Sequence, residues 1–189
     1  MQLVFATGNP HKAAEVAEIL RGRLPDIEVL TSSSESPAET GTSFLENALI
    51  KARATHVSSG LPAFADDSGL CVDVMGGAPG IFSAIWSGGR DDKTNRDLLL
   101  AQLVDIPAEH RQASFVCTVA FVSDETEVSF TGIWPGSIAF EARGEGGFGY
   151  DPVFVPEGFE LTAAELPAEV KNSMSHRFLA MTQLAQYLS

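Results

Sequence analysis

The sequence is poor in positive charge. Only 12 of its 189 residues are Lys or Arg, against 25 Asp and Glu, so its formal net charge is −13. A protein that binds the nucleic-acid backbone needs a basic surface, so this balance argues against DNA or RNA as a partner. A small polyanion is compatible with the sequence if the few cations are concentrated at one place, and a metal ion would help a carboxylate-rich protein to hold it.

Cysteines and long apolar runs are also scarce. The two cysteines, Cys71 and Cys117, lie in apolar, strand-like segments and match no metal-ligand spacing. We expect buried free thiols in a reducing compartment, with a disulfide as the less favoured alternative. No apolar run approaches the roughly 20 residues that a membrane span needs. The first residues lack a basic stretch followed by an apolar one, as a secretory signal has. A cytoplasmic protein without a membrane partner is therefore expected.

The residues that are present predict an α/β fold. Apolar residues make up 44% of the sequence and charged residues 20%, as in ordinary globular proteins. Strands and helices alternate at both ends of the chain, and the middle is rich in strands, which indicates a mixed sheet. The length allows one large domain or two small lobes. A cleft between a βα lobe and a β-meander lobe would be the natural site.

Hydrophobic periodicity and turn residues predict the individual elements. Polar or Gly/Pro-rich loops are expected at 31–41 and 75–89, with at most a short helical turn in the second. Ser43 and Glu46 fit a capping box at the start of one helix. Strands are predicted at 3–6, 27–30, 61–65, 70–74, 113–122, 127–132 and 137–141, and helices at 10–20, 43–58, 94–104 and 178–188.

The beginning of the first helix carries charge of the unexpected sign. Asn9 is a good N-cap and Pro10 suits the first helical position. A helix N-terminus favours acidic side chains, yet His11 and Lys12 follow. Free backbone N–H groups after Gly8, the helix dipole and Lys12 together would form a phosphate-binding site. The alternative is a solvated lysine on an ordinary turn.

The last helix repeats this feature. Ser175 is a fair N-cap, and His176 and Arg177 follow it in the first turn, shortly after Lys171. Attraction to one shared polyanionic ligand explains both helix starts, whereas the alternative, an exposed basic turn, requires the same coincidence twice. The sequence therefore predicts that Lys12 and Arg177 converge on one bound polyphosphate.

Two adjacent carboxylates form a second candidate. Asp66 and Asp67 follow an apolar strand and precede Ser68-Gly69. Adjacent strand residues point to opposite faces, so at most one carboxylate enters a site while strand geometry holds. Catalytic carboxylates are often carried where a strand gives way to a loop. The alternative is an aspartate that only caps the Ser-Gly turn.

A glycine-rich segment at 144–149 matches G-x-G-x-x-G but is not a dinucleotide fingerprint. Tyr150-Asp151-Pro152 leads into an extended run, so no helix can follow as that motif requires. The segment is read instead as a mobile loop that presents Phe148 and Tyr150, rings that could stack on a nucleobase. The alternative is that both rings cover the core.

Taken together, these segments resemble the family of non-canonical purine nucleoside triphosphate pyrophosphatases, also called the inosine/xanthosine triphosphatase family. The matching pieces occur in the family's order over almost the whole chain. They are Thr7-Gly8-Asn9-Pro10-His11-Lys12, Phe44-Leu45-Glu46-Asn47-Ala48, Ala65-Asp66-Asp67-Ser68-Gly69-Leu70, Gly76-Gly77-Ala78-Pro79-Gly80, Gly147-Phe148-Gly149-Tyr150-Asp151-Pro152 and Ser175-His176-Arg177.

The resemblance implies a single inosine-triphosphatase-like domain over residues 1–189. Its long mixed sheet, with flanking helices, would form two lobes around a deep central cleft, usually in a homodimer. It also implies Mg²⁺-dependent hydrolysis of ITP, dITP and XTP to the monophosphate and pyrophosphate, which keeps deaminated purines out of DNA and RNA.

The resemblance also assigns roles to residues. Asp67 would be the general base or a metal carboxylate, Glu39 the second metal carboxylate, and Lys12 the cation that stabilises the departing pyrophosphate. The residues implied to bind substrate are Thr7, Gly8, Asn9, Pro10, His11, Lys12, Ser68, Phe148, Gly149, Tyr150, Asp151, Lys171, His176 and Arg177. His176 and Arg177 would donate to O6 of the purine. The chain departs from the family at Ile85, where arginine is usual.

Two other functions fit parts of this pattern. One is a nucleotide hydrolase with a similar cleft that acts on modified pyrimidines, which competing ITP with modified pyrimidine triphosphates would separate. The other is a non-catalytic nucleotide-binding regulator, in which Asp67→Asn would leave binding and biological effect intact. Carboxylates beside a phosphate-binding helix start favour the enzyme.

Overall fold

A computed structural model describes residues 2–21, 23–32 and 36–189. One sheet holds six strands, which are β1 (Gln2–Phe5), β2 (Glu28–Thr31), β3 (Ala63–Val72), β4 (Gln112–Val122), β5 (Glu127–Ile138) and β6 (Phe154–Pro156). Their order is β2-β1-β3-β4-β5-β6. β1 pairs in parallel with β2 and with β3, whereas β5 and β6 are antiparallel. The mixed sheet and the α/β class are therefore confirmed.

Five α-helices accompany the sheet in the described residues. They are α1 (Pro10–Arg21), α2 (Phe44–Ser59), α3 (Asp92–Gln102), α4 (Ala168–Asn172) and α5 (His176–Leu188). Short 3₁₀ helices form at Asp73–Met75, Gly80–Ile85, Ala108–His110 and Asp151–Val153. The four predicted helices are all present, with each end within two residues of its predicted position; α4 was not predicted.

The chain divides into two compact units. Unit 1 comprises Met1–Asp67, Cys117–Gly132 and His176–Ser189, and unit 2 comprises Ser68–Val116 and Ile133–Ser175. Each unit has its own buried apolar cluster. In unit 1, Leu3, Phe5 and Phe64 pack with residues of α1 and α5. In unit 2, the cluster joins Leu70 and Val72 to Leu99, Trp134 and Phe154.

In unit 1, α1 and α5 pack against each other. Val16, Ile19 and Leu20 form the buried side of α1. Helical spacing from Val16 and Leu20 predicts that Ala17 also faces the sheet, but Ala17 is exposed. The rings of Phe5 on β1 and Phe64 on β3 stack below, with centroids 4.7 Å apart.

The predicted capping box at α2 is present in altered form. Ser43 Oγ accepts from the Glu46 backbone N–H at 3.2 Å. The Glu46 carboxylate accepts a hydrogen bond from the N–H of Thr42 at 2.6 Å, whereas a standard capping box would use the N–H of Ser43. Gly60 ends the helix in the left-handed conformation, with φ of 66°.

Two predicted strand boundaries are wrong. β3 runs without interruption from Ala63 to Val72, so Asp66 and Asp67 lie inside a strand and cap no turn. β5 likewise continues to Ile138, and no separate strand covers 137–141. The third strand of the antiparallel region is β6 instead. The predicted strands at 113–122 and 127–132 are present in β4 and β5, and in the turn between them Ser123 N–H donates to Thr126 O at 2.9 Å. Part of the predicted loop at 31–41, residues 33–35, lies outside the described residues.

Both cysteines are free thiols, and Cys117 is buried while Cys71 is partly buried. Among the helices of the described ranges, none combines the length and apolar character required to cross a lipid bilayer.

Candidate active site

The start of α1 is fixed by side chains from its own turn. Asn9 Oδ1 accepts from the N–H groups of His11 and Lys12, at 2.9 and 3.3 Å. Thr7 Oγ1 in turn accepts from Asn9 N–H at 3.1 Å. The sequence had predicted free N–H groups after Gly8 for a phosphate, but these three are already bonded. An anion that binds these N–H groups therefore has to replace Asn9 Oδ1 or Thr7 Oγ1 as the acceptor.

Asp66 is the point where cations from two helices meet. Lys12 Nζ, from α1, lies 2.9 Å from Asp66 Oδ2. Arg177 Nη2, from the first turn of α5, lies 3.5 Å from the same oxygen, and Arg177 Nη1 donates to Glu15 on α1. The Cys117 thiol, on the neighbouring strand β4, is 3.8 Å away. Lys12 and Arg177 therefore converge, in unit 1, on one buried carboxylate.

The charges around Asp66 decide its ionisation. Burial alone would raise its pKa, but Lys12, Arg177 and Lys51 outweigh that cost and hold the pKa of the carboxyl well below its usual range. Burial and the Asp66 charge together raise the pKa of the Cys117 thiol to about 12. Asp66 is thus a permanent anion at neutral pH, and Cys117 stays protonated.

Asp67 lies in a separate set of contacts with α2. Asn47 Nδ2 donates to Asp67 Oδ2 at 3.2 Å, and Lys51 Nζ donates to Asp67 Oδ1 at 3.3 Å. Lys51 Nζ also reaches Glu39 Oε1 at 2.7 Å. Asn47 and Lys51 are one turn apart on α2, so one helical face presents both. Adjacent carboxylates of β3 thus contact different helices, as strand alternation predicts.

The ionisation of Asp67 contrasts with that of Asp66. Burial, reinforced by the nearby charge of Glu39, raises its pKa above the usual range despite the opposing effect of Lys51. Burial would lower the pKa of Lys51, yet the carboxylates of Asp67, Asp66 and Glu39 raise it overall. Asp67 is therefore the more basic carboxylate of the adjacent pair, held beside a lysine that stays charged.

Glu39 and Asp67 are the residues with the donor chemistry for a divalent cation. Among the residues that the structure describes, no group of three or more His, Cys, Asp or Glu side chains could hold a metal ion. Two carboxylates converging on one cationic nitrogen nevertheless suit Mg²⁺, which is held by one or two carboxylates together with substrate phosphates. The pair fits that mode of binding.

A third group of predicted site residues lies in unit 2. Lys171 Nζ donates to Asp151 Oδ2 at 2.7 Å, and both side chains are buried. The Phe148 N–H donates to the same oxygen at 2.9 Å. Lys171 Nζ also lies 5.1 Å from the centroid of the Phe148 ring. The predicted residues Phe148, Asp151 and Lys171 are therefore in mutual contact.

Tyr150 does not present its ring as expected. It is 5% exposed and belongs to the core of unit 2. Its hydroxyl donates to Ser83 O at 2.8 Å, and burial raises its pKa. Of the two rings near the glycine segment, Phe148 remains partly accessible. The rejection of a dinucleotide fingerprint is confirmed, since a 3₁₀ turn and strand β6 follow Gly149.

The other predicted residues are more dispersed. His176 and Arg177 open α5 as expected, and both are buried. Ser68 follows Asp67 on β3 and is partly buried, whereas Pro10 and His11 are exposed at the start of α1. Ile85, which replaces the arginine usual in the family, ends a 3₁₀ helix and is 41% exposed.

Sequence reasoning missed three residues of unit 1 that contact the predicted site residues. Lys51 and Asn47 contact Asp67, and Glu15 contacts Arg177. A signal was available for Lys51, because it follows Asn47 of the α2 motif by one helical turn. Glu15 follows Lys12 by three positions and therefore extends the same face of α1.

These features define a class: an α/β protein in which cations from three helices surround two adjacent carboxylates of one strand. The Ham1 family matches residues 3–187 of the chain, and the chain belongs to this family.

Relatives and solved structures resemble the chain over nearly its full length. The dITP/XTP pyrophosphatase of Leifsonia xyli is 48% identical and covers 100% of this chain and 96% of that protein. The dITP/XTP pyrophosphatase of Streptomyces avermitilis is 50% identical, covering 97% and 94%. A HAM1 protein from Coxiella burnetii superposes with a TM-score of 0.91 at 39% identity, covering 100% and 98%. A nucleoside-triphosphatase / dITP/XTP pyrophosphatase from Mycobacterium abscessus gives 0.80 at 47% identity, covering 97% and 98%.

Proposed function

We propose that this protein hydrolyses the non-canonical purine nucleoside triphosphates ITP, dITP and XTP to the monophosphate and pyrophosphate. The observation that carries the proposal is the pair Asp66–Asp67. One carboxylate fixes Lys12 and Arg177, while the other is a more basic group held by Lys51. Relatives of about half identity over nearly the whole chain are dITP/XTP pyrophosphatases. Such an enzyme would remove deaminated purines from the nucleotide pool.

The proposed chemistry is attack of water on the α-phosphorus. Asp67 accepts a proton from the water, a bond forms between the water oxygen and phosphorus, and the bond to the pyrophosphate oxygen breaks. A carboxylate whose pKa is raised is a better proton acceptor than an ordinary aspartate. Asn47 donates to one Asp67 oxygen, which leaves the carboxylate with a defined orientation.

The proposed role of the cations is to bind phosphate oxygens. Lys12, from the first turn of α1, is positioned by Asp66 and adds to the positive end of the helix. A fixed cation stabilises the charge that develops on the leaving pyrophosphate more effectively than one that must be reoriented. Thr7, Gly8, Asn9, Pro10 and His11 complete the proposed phosphate-binding turn.

Asp67 and Glu39 are the proposed ligands of Mg²⁺. When bound, the ion would neutralise phosphate charge. Both carboxylates contact Lys51 Nζ, so binding of the ion must move this ammonium or place it beside the ion as a further phosphate contact.

Base recognition is assigned to Phe148, Gly149, Tyr150, Asp151, Lys171, His176 and Arg177, with Ser68 as a further substrate contact. Asp151 accepts from Lys171, and the Phe148 ring lies against the same ammonium. Donors in such a set suit the O6 acceptor of hypoxanthine and xanthine, whereas adenine carries an amino group there. Arg177 is engaged with Glu15 and Asp66, so its proposed contact with O6 requires it to exchange one of these partners.

We also propose that residues 1–189 act as one functional domain, that the protein works as a homodimer and that it is cytoplasmic. Gel filtration with light scattering tests the homodimer directly. A monomer at micromolar concentration with full activity would contradict it.

The deciding experiment for the reaction is a nucleotide panel with product identification. ITP, dITP, XTP, ATP, GTP and modified pyrimidine triphosphates are incubated with the protein in Mg²⁺, and again with EDTA. We expect pyrophosphate from the first three, poor turnover of ATP and GTP, and loss of activity with EDTA. Orthophosphate as the first product, or a preference for the pyrimidines, would contradict the proposal.

A further inference from the structure

The glycine segment of unit 2 is packed against its surroundings. Gly146 N–H donates to Ala164 O at 3.1 Å. A Cβ at Gly146 would lie 2.7 Å from that oxygen, and one at Gly147 would lie 2.0 Å from Asp151 Oδ2. Side chains at these positions would force the segment away. The glycines therefore permit close contact, and the mobile loop that the sequence had suggested is anchored in the structure.

The first turn and a half of α3 holds the end of this segment. Gly149 N–H donates to Asp92 Oδ2 at 2.9 Å. Gly149 O accepts from Arg96 Nη1 at 2.6 Å. Asp92 and Arg96 are separated by four positions and so project from the same side of α3. Both backbone polar groups of Gly149 are thus bound by charged side chains, which form stronger hydrogen bonds than neutral ones.

Anchoring of Gly149 affects the neighbouring residue Phe148, because the backbone of Gly149 is easily rearranged when it is not held. Its φ of 59° lies in the left-handed region, which only glycine adopts at little cost and from which glycine also departs easily. It directly follows Phe148, whose N–H is bound to Asp151 and whose ring lies against Lys171. Fixing Gly149 therefore fixes the direction in which the Phe148 ring is presented.

We propose that Asp92 and Arg96 are positioning residues for substrate: they clamp Gly149 so that Phe148 is held ready to receive the purine ring. This proposal rests on the proposed function, because it takes Phe148 as a base-binding side chain. The clamp acts on binding of the base and not on the phosphorus, so its loss raises KM with little change in kcat.

The test compares Arg96→Ala and Asp92→Ala with Lys93→Ala as the matched control. Lys93 lies on the same helix, and its side chain is exposed. Its ammonium forms a surface ion pair with Asp97, four residues further along α3. We expect KM for ITP to rise roughly tenfold or more in the two clamp variants, with kcat within about threefold of wild type. Lys93→Ala should match wild type. Arg96→Lys should restore part of the affinity, since an ammonium can donate to one carbonyl oxygen.

A second readout follows the clamp without any nucleotide. Hydrogen exchange of the Gly149 amide, measured by NMR or by peptide mass spectrometry over 144–150, should be faster in Asp92→Ala and Arg96→Ala than in Lys93→Ala. Thermal melting identifies any variant that has lost the fold, in which case Arg96→Lys and Asp92→Asn replace the alanine variants.

Three outcomes overturn the clamp: unchanged exchange at Gly149, an unchanged KM in variants whose exchange is faster, or a fall in kcat with KM unchanged. Failure of the proposed function gives a different result, in which wild type releases no pyrophosphate from any purine triphosphate. In that case, the exchange rate of the Gly149 amide still shows whether Asp92 and Arg96 hold this residue.

Discussion

At the scale of single residues, Asp66 and Asp67 show how environment separates two identical side chains. Asp66 is bound by Lys12 and Arg177, and its pKa is lowered, whereas the pKa of Asp67 is raised by burial. A buried cation left without its carboxylate is strongly destabilising. We therefore expect Asp66→Asn to lower the free energy of unfolding at pH 7 by about 3–5 kcal/mol. Asp67→Asn should cost less, because Lys51 keeps Glu39 as a partner and burial disfavours the charge of Asp67 itself.

The same comparison separates stability from activity. Asp67→Asn should reduce kcat by about 10²–10⁴-fold, the usual contribution of a general base, although the variant is fully folded. Urea unfolding and pyrophosphate release measured on the same preparations check both statements. A stable Asp67→Asn variant with unchanged kcat would exclude Asp67 as the general base.

The pH dependence of these two effects has opposite sign. A lowered folded-state pKa contributes stability above the unfolded value, near ~4, and this contribution is lost as pH falls below it. Wild type should therefore lose its advantage over Asp66→Asn only below about pH 4. A raised pKa imposes a cost at neutral pH that disappears as pH falls through the folded-state value. The gain that Asp67→Asn makes by removing this cost should thus shrink between pH 7 and about pH 4. Urea unfolding at several pH values measures both.

The structure changes the effect on stability that we expect for Lys12→Ala. A lysine in the first turn of a helix contributes little stability by itself, so the sequence predicts that Lys12→Ala leaves the fold nearly untouched. Its ammonium is, however, paired with Asp66, whose side chain is 1% exposed. We now expect a loss of about 1–3 kcal/mol, smaller than for Asp66→Asn because Arg177 remains. Turnover of ITP should fall by about 10²–10³-fold.

Lys93→Ala is the control for Lys12→Ala, since it removes an exposed lysine whose ion pair contributes less than about 1 kcal/mol. Urea unfolding and steady-state kinetics are measured on both variants. Unchanged kinetics in Lys12→Ala would exclude Lys12 from phosphate binding.

At the scale of elements, β3 shows tertiary contacts overriding local sequence. Asp66-Asp67-Ser68-Gly69 favours a turn by composition, yet these residues continue the strand. The carboxylates are held by distant partners on α1, α2 and α5. Gly69 is needed because a Cβ there would lie 2.2 Å from Gly80 O, and Ser83 Oγ accepts from the next N–H, that of Leu70. None of these contacts is visible in a local window of sequence.

The packing of α5 on β5 gives a prediction at this scale. A Cβ at Gly132 would lie 2.1 Å from His176 O and 2.7 Å from Ala180 N, so Gly132→Ala must push the start of α5 outward. Arg177 lies in that first turn. We expect the free energy of unfolding to fall by about 1–3 kcal/mol, as in overpacked cores, and ITP turnover to fall with it.

Gly89→Ala is the matched control, since a Cβ there meets nothing within 4 Å. Its stability should lie within about 0.5 kcal/mol of wild type. Urea unfolding of both variants makes the comparison. A Gly132→Ala variant as stable and as active as Gly89→Ala would show that the first turn of α5 can move without consequence.

At the scale of the whole molecule, the net charge is −13, yet most lysines are held in place by acidic partners. Three of the four lysines are paired to buried aspartates, as Lys12–Asp66, Lys51–Asp67 and Lys171–Asp151. Under the proposed function, this pairing holds positive charge in place before substrate arrives, so binding requires little ordering of side chains. This is how an acidic protein can bind a polyanion without a basic surface.

Ligand-dependent stability tests this view of the molecule. A non-hydrolysable ITP analogue with Mg²⁺ should raise the melting temperature, since a ligand at 100 times its Kd stabilises the folded state by about 2.7 kcal/mol. The matching ATP analogue at the same concentration should give a smaller shift. Differential scanning fluorimetry measures both, and equal shifts would contradict base selectivity at the binding step.

The sequence by itself determined the α/β class, the mixed sheet, the four longest helices and the absence of a dinucleotide fingerprint. It did so because periodicity, caps and turn residues are local and act within a few positions. Only the tertiary structure decided that Asp66 and Asp67 lie within a strand, that Lys51 and Asn47 reach Asp67, that Glu15 pairs with Arg177, and that α3 anchors Gly149. Those contacts join residues far apart in the chain, and they depend on how strands and helices pack. No spacing in the sequence records that packing.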